Sequence, residues 1–206
     1  MQTIKCKSIQ DAYIKGIDYV IRTGKLRKIH GTDVLQADEV CLDINIDNDD
    51  DYCNLAPLKE QSAETYLHEF LNPDRGEHPY TYGERIVNYH GINQLLHCVK
   101  VLRNDRYTRQ AVCSVWNPVT DEFLDDPPCL QHIQFYFNNA DEFVIKVLFR
   151  SHDFYQALIY NLQGLKYTGT YVASMINEQP KRMILDSARP HIYWYNIDYC
   201  KQITQR

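Results

Sequence analysis

From Ile9 the apolar side chains fall at Ala12, Tyr13, Ile17, Val20 and Ile21, the spacing of one buried helical stripe, and Arg22-Thr23-Gly24 ends that helix. The basic run Lys25 to Lys28 then reads as a solvated loop that stops at Gly31. Val40, Leu42, Ile44 and Ile46 alternate with Cys41, Asp43 and Asn45, which predicts a strand with one buried face. Ser62 reads as a helix cap followed by Ala63, Tyr66, Leu67, Phe70 and Leu71 at helical spacing, and Asn72-Pro73-Asp74-Arg75-Gly76 as a turn. Ile92, Leu95, Leu96, Val99 and Leu102 predict the next amphipathic helix, ending near Asn104-Asp105. Strands are expected over 110–116, 131–137 and 143–149, with a proline corner at Asp125-Asp126-Pro127-Pro128. A buried helix follows over 154–175, and Arg182–Leu185 and His191–Tyr195 are expected to complete the sheet. The pattern is mixed α/β (α+β), a mainly β core flanked by helices, without an internal repeat or linker.

Length adds that 206 residues suit one domain, 1–206, large enough to bury a core without staples. A formal charge of −5 with dispersed Lys and Arg offers no basic stripe for a nucleic-acid backbone, so a bound phosphate is expected to be a single one. Seven cysteines without a CxxC pair form neither a disulfide framework nor a zinc knuckle. No leader and no apolar run near the ~18 residues of a membrane span are evident, so a cytoplasmic, reduced protein is expected. The acidic run Asp47 to Asp51 lacks the glycine and glutamate of a calcium loop and reads as an exposed turn, while His68-Glu69 lacks the second histidine of a zinc-protease helix. No metal is expected.

Candidate chemistry concentrates between Pro127 and Asn161. Alone, Cys129 reads as a small buried hydrophobe, Arg150 as a solvated strand end and Asn161 as a satisfied core amide. Together they read differently. Cys129 follows two prolines and precedes a strand, a rigid corner from which a thiol can face a cavity. A guanidinium such as Arg150 beside that thiol would lower its pKa and could hold a phosphate.

These residues resemble the core of the thymidylate synthase family. Pro128-Cys129, Gln134-Phe135-Tyr136 five residues on, Arg150-Ser151-His152-Asp153, Asn161 eleven residues after Arg150, and His191-Ile192-Tyr193 occur in the family's order. Upstream, Tyr80-Thr81-Tyr82-Gly83-Glu84-Arg85 resembles its Tyr-Gly segment, especially in shorter archaeal-type members. Arg109 to Trp116-Asn117 resembles its Arg-Arg…Trp-Asn strand, and Leu67 to Leu71 resembles the helix that carries its catalytic glutamate.

The resemblance implies a sheet-to-sheet homodimer that converts dUMP to dTMP, with methylene-tetrahydrofolate giving a one-carbon unit and a hydride and leaving as dihydrofolate. Cys129 would add to the sixth carbon of the pyrimidine so that the fifth becomes nucleophilic. Asn161 would read the base, its carboxamide fitting uracil rather than cytosine. Arg150 and Ser151 would hold the phosphate with Arg22, for which Arg27 is a rival, and with Arg109 from the neighbouring subunit. His191 and Tyr193 would bind the sugar hydroxyl and Asp153 the pterin. Tyr82 and a glutamate would manage protons, the glutamate being Glu69 with Glu64 and Glu84 as rivals. Where the family has His after the Cys this chain has Leu130; its second Arg is Gln110, and its Gln before Arg-Ser is Phe149. Lys201 to Arg206 do not match the family ending. Two alternatives stay open: a deoxypyrimidine-nucleotide hydroxymethylase (dUMP or dCMP), in which water replaces the hydride, and a nucleotide-binding relative without turnover.

Overall fold

A computed structural model of the chain describes residues 2–47, 57, 65–66 and 68–205. The elements are β1 (Gln2–Cys6), α1 (Ile9–Thr23), β2 (Lys25–Ile29), β3 (Thr32–Gln36), β4 (Val40–Asn45), α2 (Tyr82–Val87), α3 (Gln94–Asn104), β5 (Val112–Ser114), β6 (Leu130–Phe137), β7 (Phe143–Phe149), β8 (His152–Asp153), α4 (Leu158–Met175), β9 (Pro180–Ser187), β10 (Pro190–Tyr193) and α5 (Ile197–Thr204). Six strands form one mixed sheet in the order β1-β4-β9-β7-β6-β5, and four form a second, β2-β3-β10-β8. Parallel pairs β1·β4 and β7·β9 alternate with antiparallel ones, and one apolar cluster joins the helices to the inner face of the larger sheet.

The elements form where local chemistry favours them. Ser8 accepts the Asp11 N–H to cap α1, and Tyr13, Ile17 and Val20 on its stripe are fully buried. β6 alternates buried and half-buried side chains from Ile133 on, β7 is buried at Phe143, Val144, Ile145, Val147 and Phe149, and the two pair antiparallel from Leu130↔Phe149 to Phe137↔Phe143. α4 returns the chain from β7 to β9 and is buried along both flanks of its first two turns. A side chain at Gly169 would strike Ile145 of β7, so the glycine sets how closely this helix lies on the sheet.

Several sequence expectations are corrected. Lys25–Ile29 is a strand rather than a loop: it pairs antiparallel with β3 through a two-residue turn whose His30 and Gly31 both have positive φ. All five β2 residues are exposed, because this is a sheet edge protected by its own charges. His191–Tyr195 does not complete the larger sheet; β10 belongs to the second one, and Trp194–Asn196 coils into a 3-10 turn. Helix α4 starts at Leu158 rather than at 154, because the Asp153 carboxylate takes the N–H groups of Tyr155 and Gln156 and holds a turn there. Only Val112–Ser114 of 110–116 pairs as a strand, and Ile92 lies outside α3, which is capped by Asn93. The caps and glutamate expected at Ser62, Ala63, Leu67 and Glu64, and the acidic run after Asp47, lie outside the described residues.

Candidate functional site

The site is built where β6 begins and β7 ends. Leu130 pairs with Phe149, with a register irregularity between Leu130 and His132, so Cys129 and Arg150 emerge side by side. The Arg150 N–H donates to the Cys129 carbonyl at 2.9 Å. Its guanidinium also straps the proline corner: Nε donates to the Pro128 carbonyl at 3.0 Å and Nη2 to that of Pro127 at 2.5 Å. Gln131 Nε2 also donates to the Pro128 carbonyl, at 2.9 Å, so side chains hold this corner. The rest of the Arg150 fork remains for an anion. Cys129 is half-buried, and burial pushes its thiol above the usual range. The Arg150 charge opposes this, while Asp126 and Asp153 add to it. Arg150 therefore acts in the expected direction, but desolvation wins.

Short strand β8 runs parallel to β10, with His191 opposite Asp153. This places His191 Nδ1 at 3.4 Å from Ser151 Oγ and 3.2 Å from the Arg189 carbonyl, with Tyr193 edge-on to the imidazole. Asp153 Oδ1 accepts from Tyr155 N–H at 2.9 Å and Gln156 N–H at 3.0 Å; burial nevertheless raises its pKa. Near the start of α4 the Asn161 carboxamide is buried between two partners. Tyr66 O–H donates to Oδ1 at 2.8 Å, and Nδ2 lies 3.0 Å from His152 Nε2. Burial, reinforced by His191, lowers the His152 pKa to about 3, so its ring is neutral.

Aromatic rings wall the front of this cluster. Leu130 N–H donates to Tyr82 Oη at 3.3 Å, and Phe70 lies between the Tyr66 and Tyr82 rings at 5.7 and 5.6 Å. Burial raises all three neighbouring phenols, Tyr80 to about 12 and Tyr66 and Tyr82 well above the usual range, with Cys129 contributing at each. These tyrosines line a cavity of about 670 Å³, together with Glu69, Phe70, Arg75, His78 and Asp126. Cys129, Arg150 and Asn161 stand behind that wall rather than in it. The arrangement offers a thiol, a partly free guanidinium, a fixed carboxamide and neutral phenols beside a space sized for a flat heteroaromatic ligand.

Cys129, Arg150, Ser151, Asp153, Asn161, Tyr82, His191 and Tyr193 thus share one neighbourhood. Glu69 is exposed on the cavity wall, whereas Glu84 pairs with the buried Arg85 at 3.4 Å. Arg22 is exposed and pairs with Asp18 in α1; it and Arg27 flank or lie in the basic hairpin whose β3 pairs with β10. Arg109 is exposed beside Gln134 and lines a separate groove with Tyr136 and Lys146. Sequence reasoning missed Tyr66 as the amide's partner, His152 as its other neighbour, and Arg75, Tyr80 and Asp126 as cavity residues. The Arg150-Ser151-His152-Asp153 segment pointed near His152, the Tyr80-to-Arg85 segment near Tyr80 and the proline corner near Asp126, but none of them gave these residues a role. Among the described residues no group of three His, Cys, Asp or Glu could hold a metal, and no helix is long and apolar enough to cross a membrane.

A fold that brings Cys129, Arg150-Ser151 and Asn161 together from successive strands and a helix has close relatives in sequence. Residues 42–206 match the thymidylate synthase family, and the chain belongs to it. It is 32% identical over 143 residues to a protein of Methanothermobacter marburgensis named "Putative thymidylate synthase", covering 69% of this chain and 64% of that one. It is 29% identical over 207 residues to a protein of the same name from Methanococcoides burtonii, covering 97% and 93%. A "Thymidylate synthase" of Malacoplasma penetrans is 26% identical over 145 residues, 70% of this chain and 48% of that one.

Proposed function

We propose that this protein methylates dUMP to dTMP with methylene-tetrahydrofolate, using Cys129 as the nucleophile. The observation that carries this is the convergence of Cys129, Arg150, Ser151 and Asn161 at the junction of β6, β7 and α4, in a chain of this family. The phosphate is assigned to Arg150 and Ser151, the sugar hydroxyl to His191 and Tyr193, and the ring oxygen and N–H of uracil to Asn161. As Cys129 Sγ adds to the sixth carbon its proton leaves, and negative charge spreads onto the ring oxygen that the carboxamide holds. The neutral Tyr82 and the cavity-facing Glu69 are assigned to proton transfer.

The residues present fit a reduced folate. The cavity is walled by Tyr66, Phe70, Tyr80 and Tyr82, against which a pterin can stack, and Asp153, which acts on Cys129 from outside that wall, is assigned to the pterin N–H groups. When bound, the folate supplies a methylene group and then a hydride. Arg22, and Arg109 from a neighbouring copy in a sheet-to-sheet homodimer, are assigned to complete the phosphate site; both are exposed and free of contact with Cys129 in this chain.

Release of tritium from dUMP labelled at the fifth carbon tests the first step, and dihydrofolate absorbance the second. Both signals are expected. Tritium release without dihydrofolate would instead establish a hydroxymethylase, a reading kept open by the family positions replaced at Leu130, Gln110 and Phe149. Neither signal, with dUMP still bound, would leave a nucleotide-binding protein.

A further inference from the structure

The Asn161 carboxamide reads a base only if its oxygen and nitrogen ends are fixed. Turned end for end it exchanges donor and acceptor, and an edge that suits the N–H and oxygen of uracil then suits the bare nitrogen and amino group of cytosine. Tyr66 does not fix the ends by itself, because a hydroxyl both donates and accepts. His152 is different. It is 2% exposed, its ring stacks on Phe149 with centroids 4.0 Å apart and 14° between planes, and Phe154 stands edge-on to it at 5.4 Å. The ring is thereby held with Nε2 facing Asn161 Nδ2 at 3.0 Å. A neutral imidazole has one N–H and one bare nitrogen, and a nitrogen that faces an amide N–H must be the bare one. The proton then sits on Nδ1, which is buried without a hydrogen-bond partner among the described residues. No acceptor at Nδ1 selects this tautomer; the contact with Asn161 does, with Tyr66 O–H satisfying the oxygen at the other end.

The geometry points to His152 as a positioning residue for base selection, its bare Nε2 holding the nitrogen end of the Asn161 carboxamide toward the ring and the oxygen end toward Tyr66. This rests on Asn161 reading the pyrimidine, as proposed above. It adds that discrimination between uracil and cytosine nucleotides depends on an imidazole tautomer behind the amide.

The test compares dUMP and dCMP dissociation constants by calorimetry for the full chain and for His152→Phe, which keeps the ring stack and removes the acceptor. The wild-type protein is expected to prefer dUMP, and the variant to lose about tenfold of that preference, as expected when a site's polar group is no longer oriented. A wild-type protein that prefers dUMP beside a variant with the same preference overturns the role of His152 and leaves the Asn161 assignment intact. A wild-type protein without the preference overturns the Asn161 assignment, and this inference falls with it. Nitrogen-15 spectra of the wild-type imidazoles decide independently of how the variant folds: a buried ring protonated on Nδ1 is expected, and protonation on Nε2 would show the amide held the other way round.

Discussion

Acidification should reveal His152 through stability alone. In the folded chain its ring takes a proton only near pH 3, because burial and the neighbouring His191 oppose the charge, whereas in the unfolded chain it titrates at its usual 6.5. Between those values the unfolded state binds more protons, so stability is lost as pH falls through 6.5 and is retained above it. At pH 5 the unfolded pKa lies about 1.5 units higher than the pH, and at about 1.4 kcal/mol per unit the loss relative to neutral pH is about 2 kcal/mol. For a chain of this size that corresponds to a fall in Tm of about 4–8 °C. Burial raises the Asp153 pKa, which works in the opposite direction, and other carboxylates titrate too, so the measurement is a difference. Thermal melts of wild-type protein and His152→Phe are followed by circular dichroism from pH 7.5 to 5.0. The variant should start lower, having lost the Asn161 contact, yet its Tm should fall less steeply by the amount given. Parallel slopes for the two proteins would show that His152 is not held neutral in the folded state, and both the solvent exclusion and the hydrogen-bond scheme drawn for it would be wrong.

Three substitutions probe the rest of the site. Cys129→Ser should still bind dUMP while tritium release falls below detection; sustained release would remove Cys129 as nucleophile. Asn161→Asp should weaken discrimination against dCMP, measured as the ratio of kcat/KM for the two nucleotides, and an unchanged ratio would mean that the amide does not read the base. Arg150→Met removes two charge-assisted bonds from the half-buried proline corner, which should cost about 2 kcal/mol by thermal melt. It also removes the cation that opposes burial at Cys129, so the rate of alkylation by iodoacetamide should rise only at higher pH than in the wild-type protein; an unmoved profile would refute that electrostatic link.

Legibility in the sequence followed the strength of the physical signal. β6 was readable because alternation across a half-buried sheet leaves a period of two, β7 because it is a short apolar run rich in β-branched and aromatic residues, and α1 because its stripe has the helical period. β2 was not, since an edge strand with every side chain exposed carries no burial pattern. The short β1 and β8 owe their existence to partners far along the chain, β4 and β10, rather than to local propensity. Within the site, groups that carry chemistry in themselves, such as the thiol, the guanidinium and the carboxamide, could be picked out by type and spacing. Most of the cavity wall could not: Arg75 lies in a stretch that read only as a turn, Tyr80 stood in the Tyr-Gly segment without a role of its own, and Tyr66 had the helical spacing of an ordinary core residue.

The places where this chain departs from its family's pattern are not independent. Leu130 stands where a polar residue is usual after the Cys, is fully buried, and pairs across the sheet with Phe149, itself in place of a Gln. Phe149 in turn stacks on His152, and His152 faces Asn161. Polar groups lost on one side of the site are thus accompanied by an apolar block that presses one imidazole against the carboxamide from behind. Such a block excludes water, which makes an unmatched polar contact on the amide more costly and so sharpens whatever choice of base the imidazole imposes. Leu130 and Phe149 therefore belong with His152 to one packed unit, and exchanging any of the three alone should disturb Asn161 more than exchanging them together.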